Sequence, residues 1–212
     1  MQITKIVITG GPCGGKSTAM RWIKHVFTEA GYTVLFVPET ATELITGGVA
    51  PWTCGTNAEY QKVQMRLQMV KEDLFDQAAR TMPKDKILIV CDRGEFDNKA
   101  YMNEEEFAEV LAFLGSTEEE LLKRYDAVFH LVTAAKDTAR FYTYEGNQAR
   151  YETVDEAIVM DERTYECWKD HPYHRVIRGE EDFALKMRHL MNEIAKYLHI
   201  TIEAYPDEIP DE

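Results

Sequence analysis

Long apolar runs, paired cysteines and positive charge are what this 212-residue chain is short of. No stretch is apolar enough to span a bilayer, which takes about 20 residues. The opening MQITKIVITG reads as a strand, with neither the apolar core nor the cleavage site of a signal peptide. Cys13, Cys54, Cys91 and Cys167 form no C-x-x-C pair. That argues against a zinc site or a disulfide framework and suits a reduced, cytoplasmic protein. Lys plus Arg number 24 against 37 Asp plus Glu, a net charge of −13. So acidic a chain argues against non-specific nucleic-acid binding and against docking on anionic lipid. A small anionic ligand in a locally basic pocket stays compatible with it. No internal repeat is visible, and 45% hydrophobic residues suffice for one substantial core over about residues 1–200.

What is present begins at Ile6–Thr18, IVITGGPCGGKST. A β-branched apolar run leads into a glycine-rich turn and then a helix-forming segment. Gly10, four residues, Gly15, Lys16 and Ser17 fit the phosphate-binding pattern G-x-x-x-x-G-K-[ST]. The residue types follow from the chemistry. Glycines let backbone N–H groups turn around an anion with no Cβ in the way. Lys16 can reach the β- and γ-phosphates, the Ser17 hydroxyl can ligate Mg²⁺, and the helix N-terminus adds partial positive charge. The loop Gly10, Gly11, Pro12, Cys13, Gly14, Gly15, Lys16, Ser17, Thr18 is therefore the expected nucleotide cradle. A redox role for Cys13 is a minor alternative.

Taken in order, the chain alternates strands and helices. Strands are expected at Ile3–Ile8, Tyr32–Val37, Lys86–Cys91, Ala127–Val132 and Tyr173–Ile177. Helices are expected at Lys16–Ala30, Thr40–Ile45, Asn57 to about Met82, two acidic starts after Asn103 and Ser116, Val154–Trp168 and Phe183–Leu198. In the long helix Tyr60, Val63, Leu67, Val70, Leu74 and Ala78 should face inward, with Asn57 as N-cap. In Val154–Trp168 the inner face should hold Val154, Ala157, Ile158, Tyr165 and Trp168. Thr133–Thr153 is polar, carries Arg140 and Arg150, and reads as a lid. His130, His171 and His174 read as packing or turn residues. The last residues, 201–212, carry five acids and two prolines within EAYPDEIPDE and read as an acidic tail. Five strands alternating with helices make a doubly wound α/β parallel sheet, with its ligand across the strands' carboxyl ends.

Two further elements sit at those ends. KILIVC runs into Asp92, the form of a Walker B strand whose carboxylate would hold Mg²⁺ opposite Ser17. Arg93 follows where hydrolytic motors often place a second acid, and an arginine there suits a phosphate or an acceptor. Glu39 leaves the second strand just after Pro38, positioned either to accept a proton from an acceptor hydroxyl or to cap the short helix that follows.

Taken together, GGPCGGKST, PETATELI, DRGEFDNKAY, FYTYEGNQARYE and the late W-x-x-HP resemble one P-loop family. It groups the ribosylnicotinamide kinase domain of a bifunctional NAD-biosynthesis regulator with the nucleotide-binding domain of the TRPL translocation defect protein, domains often labelled AAA-like. The resemblance spans about Ile3 to Leu198. It implies a kinase-type core with strand order 2-3-1-4-5, nucleotide contacts at Gly10 to Thr18, magnesium at Ser17 and Asp92, and lid roles for Arg140, Asn147 and Arg150. It does not imply a substrate. The exit from strand five, Ile177-Arg178-Gly179-Glu180, departs from the short Asp-Asn-Ser-like turn expected where the base is framed.

Two functions are expected to compete. One is an Mg²⁺-dependent phosphotransferase using ATP (or GTP) on a small nucleoside-like acceptor, with catalytic candidates Lys16, Glu39, Asp92, Arg93, Arg140 and Arg150. The other is an NTPase or nucleotide-gated switch whose output is a protein partner. A Ras-like guanine reader is unsupported, because Asn98-Lys99-Ala100-Tyr101 lacks the final Asp of N-K-x-D. An oligomeric motor would need the paired acids.

Overall fold

A computed structural model describes residues 1–137, 153–180 and 182–206. Five parallel strands form one sheet in the order β2-β3-β1-β4-β5, with β1 at Gln2–Thr9, β2 at Thr33–Val37, β3 at Lys86–Asp92, β4 at Ala127–Leu131 and β5 at His174–Ile177. The order implied by the family resemblance is thus the one found. β1 pairs with β3 from Gln2↔Lys86 to Ile8↔Asp92, so both strands end level and their next residues meet.

The sheet is buried on both faces, as a parallel sheet requires. On one face Ile6, Ile8, Leu88, Val90 and Phe129 meet helices α1 (Lys16–Glu29) and α8 (Phe183–Leu198). On the other, Val7, Ile87, Ile89 and Val128 meet α3 (Asn57–Thr81), α4 (Glu104–Leu114), α5 (Glu118–Leu122), α7 (Val154–Trp168) and a 3₁₀ turn at Glu95–Tyr101. Two short helices complete the described elements, α2 at Thr40–Thr46 and α6 at Ala134–Asp137. Asn103/Glu106 and Thr117/Glu120 form the capping boxes of α4 and α5. Residues 138–152, with the expected lid residues Arg140, Asn147 and Arg150, lie outside the described residues, as does 207–212 of the expected tail. Before that point Ile202 and Tyr205 pack against the core beside α8.

Two helices depart from expectation in the same way. The N-cap of α3 is Thr56, whose hydroxyl accepts from Glu59 N–H, and not Asn57. The buried face of α3 carries Gln61, Gln64, Gln68 and Glu72 with Met65 and Ala79, while Val63, Val70, Leu74 and Ala78 face outward. α7 likewise buries Asp161 and Thr164 beside Ala157 and Trp168, and exposes Val154 and Tyr165. The apolar period misleads because both inner faces abut a polar site and a buried ion network. Glu72 sits between Lys5 (3.7 Å) and Arg124 (3.5 Å), accepting from Tyr125 Oη at 2.8 Å. The orientation of α3 is testable by denaturation in dilute protein. Met65→Ala, at a fully buried site, should cost about 2–5 kcal/mol. Leu74→Ala, on the outer face, should cost less than about 1 kcal/mol.

Candidate functional site

Between β1 and α1 the chain turns through Gly10–Gly15 with its carbonyls held outward. Gly10 O accepts from Lys16 Nζ (3.1 Å) and Arg93 Nη1 (3.2 Å), and Gly11 O from Lys16 Nζ (3.0 Å). Pro12 O takes the Thr133 hydroxyl, Cys13 O the Ala134 N–H (3.4 Å), and Gly14 O the Lys186 ammonium (2.9 Å). A trans peptide sets each N–H opposite the preceding carbonyl. The amides of Cys13, Gly14 and Gly15 therefore point away from those donors, as the peptides of an anion-binding nest do. Glycine is required at Gly10 and Gly15, where φ is 128° and 93°. A Cβ on Gly10 would strike the Leu131 carbonyl, and one on Gly15 would lie 2.7 Å from the Phe183 ring. Cys13 holds φ 56° without being glycine, a strained backbone of the kind found at binding loops.

Level with Thr9, Arg93 leaves β3 at φ 67°, its N–H donating to Ile8 O (3.1 Å) and its carbonyl taking Gln68 Nε2 (3.3 Å). This turn aims the guanidinium across the sheet. Arg93 Nε donates to Glu39 Oε1 at 2.6 Å while Nη1 reaches the glycine loop. Glu39 occupies the N-cap position of α2 but makes no side-chain cap bond; its second oxygen accepts from Thr42 Oγ1 at 2.6 Å. Burial would raise the Glu39 pKa, yet Arg93, Thr42 and Lys16 together hold it down to about 2. Asp92 moves the other way, pushed up by burial against the pull of Lys16. Asp92 Oδ1 is buried without a hydrogen-bond partner. An orphaned carboxylate oxygen beside the nest, with the exposed Ser17 hydroxyl at the start of α1, fits one hard cation that takes its other ligands from phosphate and water.

Beyond the Glu39–Arg93 pair lies a cavity of about 410 Å³, its walls including Trp52, Tyr60, Gln61, Gln64, Asp97 and Tyr101. Asn98 ties the wall together, taking Gln64 Nε2 on its Oδ1 and donating to Gln68 Oε1 at 3.3 Å. Tyr60, Gln61 and Thr40 line the cavity, and their Oη, Oε1 and Oγ1 atoms are buried with no hydrogen bond within the protein. Buried polar atoms are ordinarily paired, so three residues of this wall carry unused hydrogen-bonding capacity just behind its surface.

Of the residues expected from the sequence, the structure brings together Gly10 to Thr18, Glu39, Asp92 and Arg93. Arg140 and Arg150 lie outside the described residues. Two residues went unseen in the sequence. Lys186 of α8 also donates to Val132 O at 2.7 Å, fastening the loop to β4. Asp161 of α7 is buried, and its Oδ1 accepts from Gly11 N–H (2.8 Å) and Thr133 N–H (3.2 Å) and meets His130 Nε2 at 3.1 Å. The signal was there: Ala157, Asp161, Thr164 and Trp168 share one helical face at steps of four, three and four, and an acid within that series needs partners. His130, expected as packing, is one of them.

The loop clamp carries a pH signature. Burial works against the Asp161 charge, but His130 and the Gly11 and Thr133 amides prevail and its pKa is lowered. A carboxyl lowered on folding stabilises above its unfolded value, about 3.9, and loses that contribution as pH falls through the folded value. Asp161→Ala should cost about 1–3 kcal/mol at pH 7. The gap to wild type should shrink below about pH 4. Urea melts across pH check both, and a gap independent of pH would contradict the assignment.

The family model described as AAA domain matches residues 5–184. No curated protein matches the chain. Among solved structures it resembles deoxyadenosine kinase from M. mycoides with bound dATP, at 15% identity and TM-score 0.58, covering 90% of this chain and 98% of that one. It also resembles thymidylate kinase from Candida albicans, at 15% identity and TM-score 0.61, covering 92% of each. Likeness at this identity establishes the P-loop kinase fold. No described helix is long and apolar enough to cross a membrane.

Proposed function

The chain belongs to the AAA-domain family, and from that premise we propose that it is a phosphotransferase moving the γ-phosphoryl of ATP or GTP to a hydroxyl of a small nucleoside-like acceptor. One observation carries this reading: the Glu39–Arg93 pair stands between the glycine loop and a cavity lined by polar residues. A switch needs the nest; it has no use for such a cavity.

Each group then has a role. The amides of Cys13 to Gly15 and the Lys16 ammonium bind the triphosphate. Ser17 and Asp92 would hold Mg²⁺, which when bound offsets charge on the β- and γ-oxygens. Arg93 steadies the transferring group from the acceptor side. Glu39 receives the acceptor hydroxyl as a hydrogen bond and takes its proton late, because a carboxylate held near pKa 2 is a weak base until Arg93 turns toward the phosphoryl. Among the described residues, the charged ones on the cavity wall are Glu39, Asp97 and Arg93. Two carboxylates against one guanidinium favour an unphosphorylated acceptor, the kind named in the deoxyadenosine kinase rather than the thymidylate kinase. The sequence resemblance to ribosylnicotinamide kinase domains adds ribosyl-pyridines to the set worth screening.

Thermal shift with Mg²⁺ and nucleotide, then with nucleosides and ribosyl-pyridines, should reveal an acceptor that speeds ATP consumption above its water-only rate. With that acceptor, Glu39→Gln should lower turnover about 10²-fold or more while ATP affinity holds. Lys16→Ala should weaken triphosphate binding by about 2–3 kcal/mol in calorimetry. Should no acceptor accelerate turnover and Glu39→Gln leave the basal rate intact, the protein is a nucleotide-gated switch instead.

A further inference from the structure

The stripe that α3 turns outward has a spacing of its own. Val63, half-buried Leu67, Val70 and Leu74 recur at steps of four, three and four, the a/d seam of a heptad. At 1.5 Å per residue it runs about 16 Å along the helix. Val63 and Val70 are each 46% exposed and Leu74 56%, and Phe113 of α4, 52% exposed, extends the patch beside the N-terminal half. Phe113 borders Lys62 and Arg66, whose cationic groups lie over its ring. Contiguous apolar surface rimmed by charge marks an association site.

The rim charges indicate what covers it. Arg66 and Asp73 are seven residues apart and so lie on the same flank of the seam, one toward each end. The Asp73 carboxylate bonds Arg124 at 2.7 Å yet keeps 62% of its side chain exposed. An antiparallel copy of the same helix reverses their order, so the Arg66 end of each helix meets the Asp73 end of the other, twice. In that register Leu67 faces Val70 and Val63 faces Leu74, and every layer of the seam is apolar.

We propose that α3 pairs antiparallel with α3 of a second copy of this chain, across a two-fold axis passing near Gln68 and Met69. A two-fold interface must be self-complementary, and this face meets that condition in its apolar register and its charges. A seam of one helix is small beside the ~800 Å² per partner of a standard interface, which puts the pairing among weak, reversible contacts. The opposite face of α3 carries Gln61, Gln64 and Gln68, so pairing braces the wall of the cavity from behind. The proposal is independent of which reaction the cavity serves.

Sedimentation equilibrium of the full chain tests it. The apparent mass should rise from 24.5 kDa toward the dimer's as the concentration is raised to about 1 mM. Val70→Glu/Leu74→Glu should remain monomeric with an unchanged circular-dichroism melt. Arg66→Asp alone and Asp73→Lys alone should each self-associate at least about tenfold more weakly than wild type, since each brings like charges together. Mixed in equal amounts, the two should associate about as wild type does, because only the heterodimer restores both opposite-charge pairs. A wild-type chain monomeric up to about 1 mM, the weak end of the affinity scale, would overturn the proposal. So would a Val70→Glu/Leu74→Glu chain that still dimerises, and a mixture no tighter than its parts would overturn the antiparallel register.

Discussion

Five consecutive carbonyls, Gly10 to Gly14, are each claimed by a donor from the protein, and the rest of the site depends on that. A loop is free to point its peptides either way. Here the choice is made by Lys16 and Arg93 at one end, Thr133 and Ala134 in the middle and Lys186 at the other, with Asp161 drawing in the Gly11 amide. The donors come from α1, β3, the exit of β4, α6 and α8. Each element is therefore needed not only for packing but to keep the amides of the nest turned one way. This is preorganisation: the cost of orienting the dipoles is met in folding and not at the moment an anion arrives.

The same arrangement ties the end of β3 to the cavity beside the loop. Because Ile8 and Asp92 are in register, the residue after Asp92 meets the start of the glycine loop. Arg93 adopts φ 67°, a conformation costing about 1–3 kcal/mol, and is held in it by Ile8 O and Gln68. Its guanidinium thus touches both Gly10 and Glu39. One side chain therefore joins the glycine loop to the carboxylate after β2.

Much of this was legible in the sequence because it rests on local rules. Gly10, Gly15, Lys16 and Ser17 declare their loop by spacing, and β1 and β3 by apolar runs that end in Gly10 and Asp92. Glu39 and Arg93 could be placed at strand ends because doubly wound sheets put ligands there. What stayed hidden rests on long-range partners. Asp161 lies 150 residues from Gly11 and Lys186 172 residues from Gly14, and nothing local in α7 or α8 names those contacts. The inward face of α3 was misread for a related reason. Amphipathic period assumes that the inside is apolar, and in α3 the inside is a polar cavity wall continued by an ion network.

That network shows how such a helix is tolerated. Glu72 and Glu95 are fully buried, and burial raises the pKa of both. An unpaired pair of carboxylates there would cost several kcal/mol. Lys5 from β1 and Arg124 from the turn before β4 offset them, with Arg124 Nε 2.8 Å from Glu95 Oε1, and Tyr125 bridges the two by donating to Glu72 and accepting from Glu95 N–H. Glu72 in turn takes the Gln68 amide at 3.2 Å, and that same amide reaches Arg93 O. The buried charges thus fix a glutamine, the glutamine helps fix the left-handed turn at Arg93, and the turn aims the guanidinium. An apolar inner face on α3 would pack more cheaply, but it would leave that turn without its side-chain donor and the cavity without the wall that can address a polar ligand.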